Sequence, residues 1–411
     1  MNQDLSRFAV RLREIISIAS REGRNGCEVG EAGKFSSHPS RSSRAISEPE
    51  FSKLALELFA LQFQHNSAYR KICAARQLTP LTVAHWTQIP AVPTAAFKEL
   101  ELTSLAPAER TAVFHSSGTT EQTPSRHFHS AESLAVYETA LWTWFRQNVS
   151  EAWGAGREAL GLLILTPPPA QVPHSSLVHM FEVVRQKLGG ASVPASRTDF
   201  FGKLAEDGTW TLEFEATLAA LSPPAPRPAP RASILLGTAF SFVHLLDYLV
   251  ERDLRIALPA GSLVMETGGY KNRSRMLPKV ELHALITERL GIPRENIVCE
   301  YGMSELSSQA YDSEARDAGL EVLGDSTSRP APRAPRRFLF PPWACVQIIS
   351  PETGREVAEG ETGLIRIFDL ANVFSVAAIQ TEDLGVRRGD GFELIGRVQL
   401  AEPRGCSLMN A

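Results

Sequence analysis

Between residues 161 and 300 the sequence switches repeatedly between two kinds of segment. Residues 161–165, 234–236, 263–265 and 297–300 are short apolar runs of strand length. A segment with helical spacing, 242–251, follows the second of them. Strands that alternate with helices bury their apolar faces by packing the helices onto a mostly parallel sheet, so an α/β fold is expected. After residue 344 the pattern changes. Residues 345–349, 363–368 and 392–395 are short alternating strands between glycine-rich turns, which predicts a small β-rich subdomain.

Upstream, Leu5, Phe8, Leu12, Ile15, Ile16 and Ala19 recur at helical spacing, and 23–43 is rich in Gly, Ser, Arg and Pro. This predicts a helix and a mobile linker. A long helix is expected from residue 48, with Ser47 as its N-cap. Proline-rich stretches at 166–173, 222–230 and 329–342 read as surface loops. The expected organisation is an extension over 1–48, an α/β domain over 49–343, a β-rich subdomain over 344–397 and a mobile tail over 398–411.

Composition narrows the function classes. Of 411 residues, 43% are hydrophobic and 21% charged, enough for a large core and too few charges for a disordered chain. The net charge of −4 disfavours non-specific nucleic-acid binding. The cysteines, at 27, 73, 299, 345 and 406, contain no C-x-x-C pair, which disfavours a zinc ribbon or a disulfide framework. No apolar run has the ~18–20 residues of a membrane span. Asp4, Arg7, Arg11, Arg13 and Glu14 interrupt any signal-peptide core, so a cytoplasmic location is expected.

Three motifs carry chemistry. His115-Ser116-Ser117-Gly118-Thr119-Thr120 concentrates hydroxyls and backbone N–H groups with little bulk, and such a loop can wrap a polyphosphate. Ser/Thr/Gly clusters are also ordinary turns, and no Walker A pattern is present. Glu300-Tyr301-Gly302-Met303-Ser304-Glu305 follows an apolar strand, at the edge where open α/β sheets bind ligands. Its aromatic ring can stack a base, and its carboxylate can hold Mg²⁺. Thr381-Glu382-Asp383-Leu384-Gly385, then Asp390-Gly391 and Gly396-Arg397, reads as turns in which an Asp can accept from a ribose diol. Asp-Gly is just as often a plain hairpin turn.

In this order the three motifs resemble the adenylate-forming superfamily, and within it the acyl-protein synthetase (LuxE-like) family. The resemblance runs from about Phe51 to the C-terminus. It includes Leu56-Glu57-Leu58-Phe59 with Gln62 and Tyr69, Ile89-Pro90, Phe97-Lys98 and Ser175-Ser176-Leu177. It also includes Leu236-Gly237-Thr238-Ala239-Phe240, Glu266-Thr267-Gly268-Gly269 and Arg404-Gly405-Cys406-Ser407-Leu408. It implies a large adenylate-forming domain without the usual C-terminal lid and its catalytic lysine. Lys271, Arg273 and Arg275 are the candidate replacement cations.

The resemblance implies that Ser116, Ser117, Gly118, Thr119 and Thr120 hold the ATP phosphates. Gly268 and Gly269 let the backbone approach adenine, and Tyr301 lines or stacks on it. Glu305 binds Mg²⁺, Asp383 holds the ribose hydroxyls, and Arg397 contacts ribose or phosphate. A carboxylic acid, expected to be fatty, would become an acyl-adenylate and pass to Cys406 as a thioester, for delivery to an acyl reductase that makes an aldehyde. Cys406 lies nine positions after Arg397, a reach on the order of 30 Å. Arg404 would favour the Cys406 thiolate. Phe240, Phe242 and Met303 are candidate acyl-pocket residues or plain core, and Cys299 reads as core. Two other readings stay open: an acid–CoA ligase of the phenylacetate–CoA ligase type, and a non-catalytic nucleotide-binding subunit of a reductase complex.

Overall fold

The computed structural model describes residues 2–25, 46–116, 123–150, 160–189, 198–222, 232–269, 274–312 and 336–397. Its helices are α1 (Gln3–Asn25), α2 (Glu48–His65), α3 (Ser67–Ala75), α4 (Ala96–Glu99), α5 (Ala131–Phe145), α6 (Ser176–Leu188), α7 (Phe214–Leu221), α8 (Ala239–Glu251) and α9 (Lys279–Leu290). The strands before residue 240 are β1 (Val92–Pro93), β2 (Ala112–His115), β3 (Arg126–His129), β4 (Leu160–Ile164), β5 (Thr198–Phe200), β6 (Gly202–Leu204), β7 (Trp210–Leu212) and β8 (Ala232–Thr238). Those after it are β9 (Leu263–Thr267), β10 (Ile297–Tyr301), β11 (Ala310–Asp312), β12 (Phe338–Leu339), β13 (Ala344–Ile349), β14 (Thr362–Asp369), β15 (Ala378–Arg388) and β16 (Gly391–Arg397).

One sheet runs in the order β13-β14-β15-β16-β12-β11-β10-β9-β8-β4-β5. From β5 to β10 every pairing is parallel. From β10 to β13 every pairing is antiparallel. The parallel half is buried on both faces, as its unbroken apolar strands require. On one face Leu163, Leu235, Val264 and Ile297 pack with apolar residues of α8 and α9. On the other, Leu162, Ile164, Leu236, Met265 and Val298 pack with α5 and α6. Full burial of an aliphatic side chain stabilises by roughly 1.5–3 kcal/mol, so these two layers fix the register of the strands.

The four apolar runs in 161–300 are the parallel strands β4, β8, β9 and β10. The antiparallel part contains a long strand that the motif reading took for turns. β15 runs unbroken through Thr381, Glu382, Asp383 and Leu384, and Asp383 pairs with Arg397 of β16. Asp383 therefore projects from a strand, not from a tight turn. Alternation is weak here because the strand exchanges neighbours: β1 flanks it at Ile379 and Gln380, and β16 flanks it from Asp383 onward.

Ser47 begins α2 with a full capping box, its hydroxyl accepting from the Glu50 N–H while the Glu50 carboxylate accepts from the Ser47 N–H. α1 buries Leu5, Phe8, Leu12 and Ile16, and its polar residues reach the neighbouring helices. The Ser6 hydroxyl donates to Glu132 at 2.8 Å, and Arg11 pairs with Glu57 at 2.6 Å. Among the described residues no helix is long and apolar enough to cross a membrane.

Candidate active site

The C-terminal ends of β9 and β10 bring the Gly268-Gly269 pair and the motif at residues 301–305 to the same edge of the sheet. Gly268 follows β9 with φ +71°, a left-handed conformation that favours glycine. A Cβ placed on Gly268 or Gly269 would meet nothing within 4 Å, so the backbone there faces open space. Tyr301 ends β10. Its ring packs among Phe338, Phe340 and Phe392, with centroids 5.2–6.3 Å away, edge-on to the last two.

The Tyr301 hydroxyl donates to Asp383 Oδ2 at 2.9 Å, and Arg397 Nε donates to Asp383 Oδ1 at 3.2 Å. Residues 82 and 14 positions from Asp383 in sequence thus meet on one carboxylate. Each carboxylate oxygen has a second lone-pair site left for a ligand hydroxyl. Tyr301's phenol is pushed well up by burial and by Asp383's charge, so it stays a donor.

Glu305 lies on the turn after β10. Its Oε2 accepts from the Ser304 hydroxyl at 3.0 Å, and its backbone carbonyl accepts from Asn372 Nδ2 at 2.9 Å. A carboxylate beside a hydroxyl offers the hard oxygen donors that Mg²⁺ takes, so these residues fit the ion. The segment behind it is held by Asp369, whose buried carboxylate accepts from the Ser307 N–H, the Ser308 hydroxyl and the Ala371 N–H at 2.8–2.9 Å. Burial, opposed by those bonds, pushes Asp369 up to about 6.

The hydroxyl loop sits on the β2–β3 hairpin, whose last pair is His115 with Arg126. Ser116 Oγ accepts from the Ser125 N–H at 3.0 Å. Ser117, Gly118, Thr119 and Thr120 lie outside the described residues, as do Lys271, Arg273, Arg404 and Cys406. Arg275 pairs with Asp247 at 2.6 Å, which spends its charge on the surface of α8. Phe242 is wholly buried in the layer under α8 and α9.

The motif reading missed a histidine that ties the hairpin to the glutamate turn. His127 Nδ1–H donates to the Ser304 carbonyl at 2.8 Å. Burial lowers His127 to about 4, so the ring is neutral and Nε2 keeps its lone pair. The alternating Arg126-His127-Phe128-His129 beside the hydroxyl loop was the available signal.

Two further clusters, on opposite faces of β10, were also missed. On the α9 face the Cys299 thiol donates to Glu266 Oε1 at 2.7 Å, and His283 Nε2 stands 3.5 Å from that oxygen and 3.7 Å from the sulfur. Cys299 is thus buried but polar in its contacts, not plain core. Asp312 Oδ1 accepts from the Cys299 N–H at 2.6 Å, and Lys279 Nζ donates to Asp312 Oδ2 at 2.9 Å. The three ligand-type atoms lie within 4.8 Å of one another, a metal-like spacing. Lys279 already brings positive charge to them. Burial would push Glu266 up, but the His283 hydrogen bond, Lys279's charge and the Cys299 thiol hold it below its ordinary value. On the α5 face Glu300 accepts from the Thr267 hydroxyl, beside Tyr137 and Tyr311.

A family model described as acyl-protein synthetase, LuxE, matches residues 27–411, so α1 lies outside it. The chain is 22% identical over 367 residues to a long-chain-fatty-acid–luciferin-component ligase of Vibrio harveyi, covering 87% of this chain and 86% of that one. It is 24% identical over 189 residues to the protein of the same name from Aliivibrio fischeri, covering 43% of this chain and less than half, 44%, of the relative. Among solved structures, a 2-hydroxyisobutyryl-CoA ligase in the postadenylation state superimposes with a TM-score of 0.60 at 13% identity. That match covers 92% of this chain and 74% of the ligase. An open conformation of that ligase gives 0.58 at 13%, covering 93% and 84%. The sheet, the motif edge and the family match agree: this chain belongs to the acyl-protein synthetase (LuxE) family, and it is an AMP-forming ligase.

Proposed function

We propose that the protein activates a carboxylic acid, of the fatty class named for its relatives, with ATP and then carries the acyl group on Cys406. The observation that supports this most is the meeting of Tyr301, Asp383 and Arg397 at the strand edge that also carries Gly268 and Glu305. Asp383 accepts from the ribose hydroxyls and is held for that task by Tyr301 and Arg397. Gly268 and Gly269 leave the backbone accessible to the base, with Tyr301 at the border of that space. The hydroxyl loop of Ser116, Ser117, Gly118, Thr119 and Thr120 donates to the phosphates.

Glu305 would hold Mg²⁺, which when bound supplies Lewis-acid stabilisation of phosphate charge. The acid's carboxylate oxygen attacks the α-phosphorus, the bond to pyrophosphate breaks, and an acyl-adenylate forms. The Cys406 thiolate then attacks the acyl carbon, AMP leaves, and a thioester remains for an acyl reductase partner. Two other cysteines are poor rivals. Cys73 is buried, which pushes its thiol up to about 11, and burial pushes Cys299 well above its ordinary value.

Radiolabelled-acid loading with peptide mapping tests this reading. Cys406→Ser should keep ATP–pyrophosphate exchange and lose the hydroxylamine-sensitive acyl label. A label that persists on Cys27, Cys73, Cys299 or Cys345 overturns the carrier role. Release of AMP only on adding coenzyme A would favour the CoA-ligase reading instead.

A further inference from the structure

The α5 face of β10 holds a polar set with parts left over. Glu300 and Tyr311 are register partners across β10 and β11, and Thr267 is Glu300's partner on β9. All three side chains therefore rise from the same face, side by side. The Thr267 hydroxyl donates to Glu300 Oε2. The Tyr311 hydroxyl is buried, in a residue only 2% exposed, and has no hydrogen-bond partner. His129 Nε2, in a residue 1% exposed, has none either. Its ring lies 6.0 Å from that of Tyr137, whose phenol is pushed up by burial and by Glu300's charge. Gly302 completes the setting, because a Cβ there would strike the Glu300 carboxyl.

A protein interior seldom leaves buried polar atoms dry and unpaired, since each forfeits its hydrogen bonds to water. This set lies at the C-terminal edge of the parallel strands, one residue from Tyr301 and on the turn side of Glu305, where open α/β sheets take their ligands. Burial raises Glu300 to about 7, so near neutrality its carboxyl can donate as well as accept. Tyr311 can also do both. A plain alkyl chain would leave the Tyr311 hydroxyl unpaired. A hydroxyl or carbonyl oxygen placed between Tyr311 and its register partner Glu300 would pair it.

We propose that Glu300 and Tyr311 read an oxygen substituent on the acyl chain, so that the acid activated is a hydroxy or oxo acid and not an unsubstituted one. This rests on the acid-activating function proposed above and specifies its substrate. It assigns specificity to two side chains that the nucleotide site does not use.

The test pairs acids of equal length, dodecanoic against 2- and 3-hydroxydodecanoic acid, with a shorter pair alongside, in ATP–pyrophosphate exchange. The full-length protein should favour a hydroxylated member by at least tenfold in kcat/KM. Tyr311→Phe, which removes only the unpaired hydroxyl, and Glu300→Leu should each cut that ratio at least tenfold. Should Glu300→Leu fail to fold, Tyr311→Phe decides. A ratio at or below one in the unmodified protein overturns the inference and leaves the ligase function standing. So does a ratio that both variants leave unchanged. Exchange with no acid at all defeats the proposed function itself. Calorimetric binding of the same pairs then decides the oxygen-reading role of Glu300 and Tyr311: a preference for the hydroxylated acids supports it, and equal or absent binding overturns it.

Discussion

Cys299 and Glu300 are neighbours on one strand, and the two faces they serve are built on opposite rules. On the Cys299 face every charge has a partner. Asp312 answers Lys279 and Arg336, while Glu266 accepts from the Cys299 thiol beside His283. On the Glu300 face a carboxyl with one hydroxyl partner stands beside the Tyr311 hydroxyl, with His129 Nε2 on the same side of the sheet, and neither of these two buried atoms has a partner. The first arrangement holds β9, β10, β11 and α9 together. The second leaves buried polar atoms unpaired, which costs stability, and it is the face for which an outside oxygen is proposed. Burial alone does not separate a structural polar cluster from a binding one; the completeness of its hydrogen bonding does.

The largest expected effect lies on the closed face. Asp312→Ala removes the partner of Lys279 and Arg336 and orphans the Cys299 N–H. It should lower unfolding stability by about 3–5 kcal/mol, read from urea midpoints at constant slope. A loss below about 1 kcal/mol would mean that the face is not an interlocked unit.

The next effect is a pH dependence from the open face. Glu300's folded value, about 7, lies above its ordinary 4.5, so the folded state holds the proton more tightly. Its favourable contribution is full below 4.5 and is lost as pH rises through 7. The expected size is about 3 kcal/mol at one pKa unit per 1.36 kcal/mol. Asp369 acts in the same direction between 3.8 and about 6. His127 acts in the opposite direction, losing stability as pH falls from 6.5 toward about 4. Subtracting the profile of Glu300→Gln from that of the unmodified protein isolates Glu300. A flat difference between pH 5 and 8 would contradict a protonated, buried Glu300.

Two smaller substitutions set the faces against each other directly. Cys299→Ala deletes one donor of a satisfied network and should cost about 1–3 kcal/mol. Tyr311→Phe deletes a hydroxyl with no partner and should change stability by less than about 0.5 kcal/mol, in either direction. Thermal denaturation of the two variants side by side, without ligand, checks the contrast. Equal losses would erase the distinction between the faces. A clear loss for Tyr311→Phe alone would mean that its hydroxyl serves the fold.

The parallel half of the sheet was legible because its signal is local. A four- or five-residue apolar run between helical segments has few other ways to bury itself, and Ser47 with Glu50 announces a helix start within four residues. The motif residues Tyr301, Glu305 and Asp383 were legible as chemistry, and the family was legible from their order. β15 was not, because its neighbours change midway and its alternation changes with them. The β2–β3 hairpin shows no sign in sequence of His127's tie to Ser304, since that bond joins residues 177 positions apart.

By itself, then, the sequence determined the α/β class, the polar motifs and the chemistry those residue types can perform. Each of these follows from side-chain identity and from patterns within a few residues. Only the tertiary structure decided which groups meet, and hence what each one is. Register across β9, β10 and β11 put Thr267, Glu300 and Tyr311 on one face and Glu266, Cys299 and Asp312 on the other. Burial then set their protonation, because the cost of a charge depends on what surrounds it and not on the residue that carries it. Glu300 and Glu266 are the same residue type on adjacent strands, yet one is raised to about 7 and the other lowered. The difference is a histidine, a lysine and a thiol, brought to Glu266 by one helix and one strand.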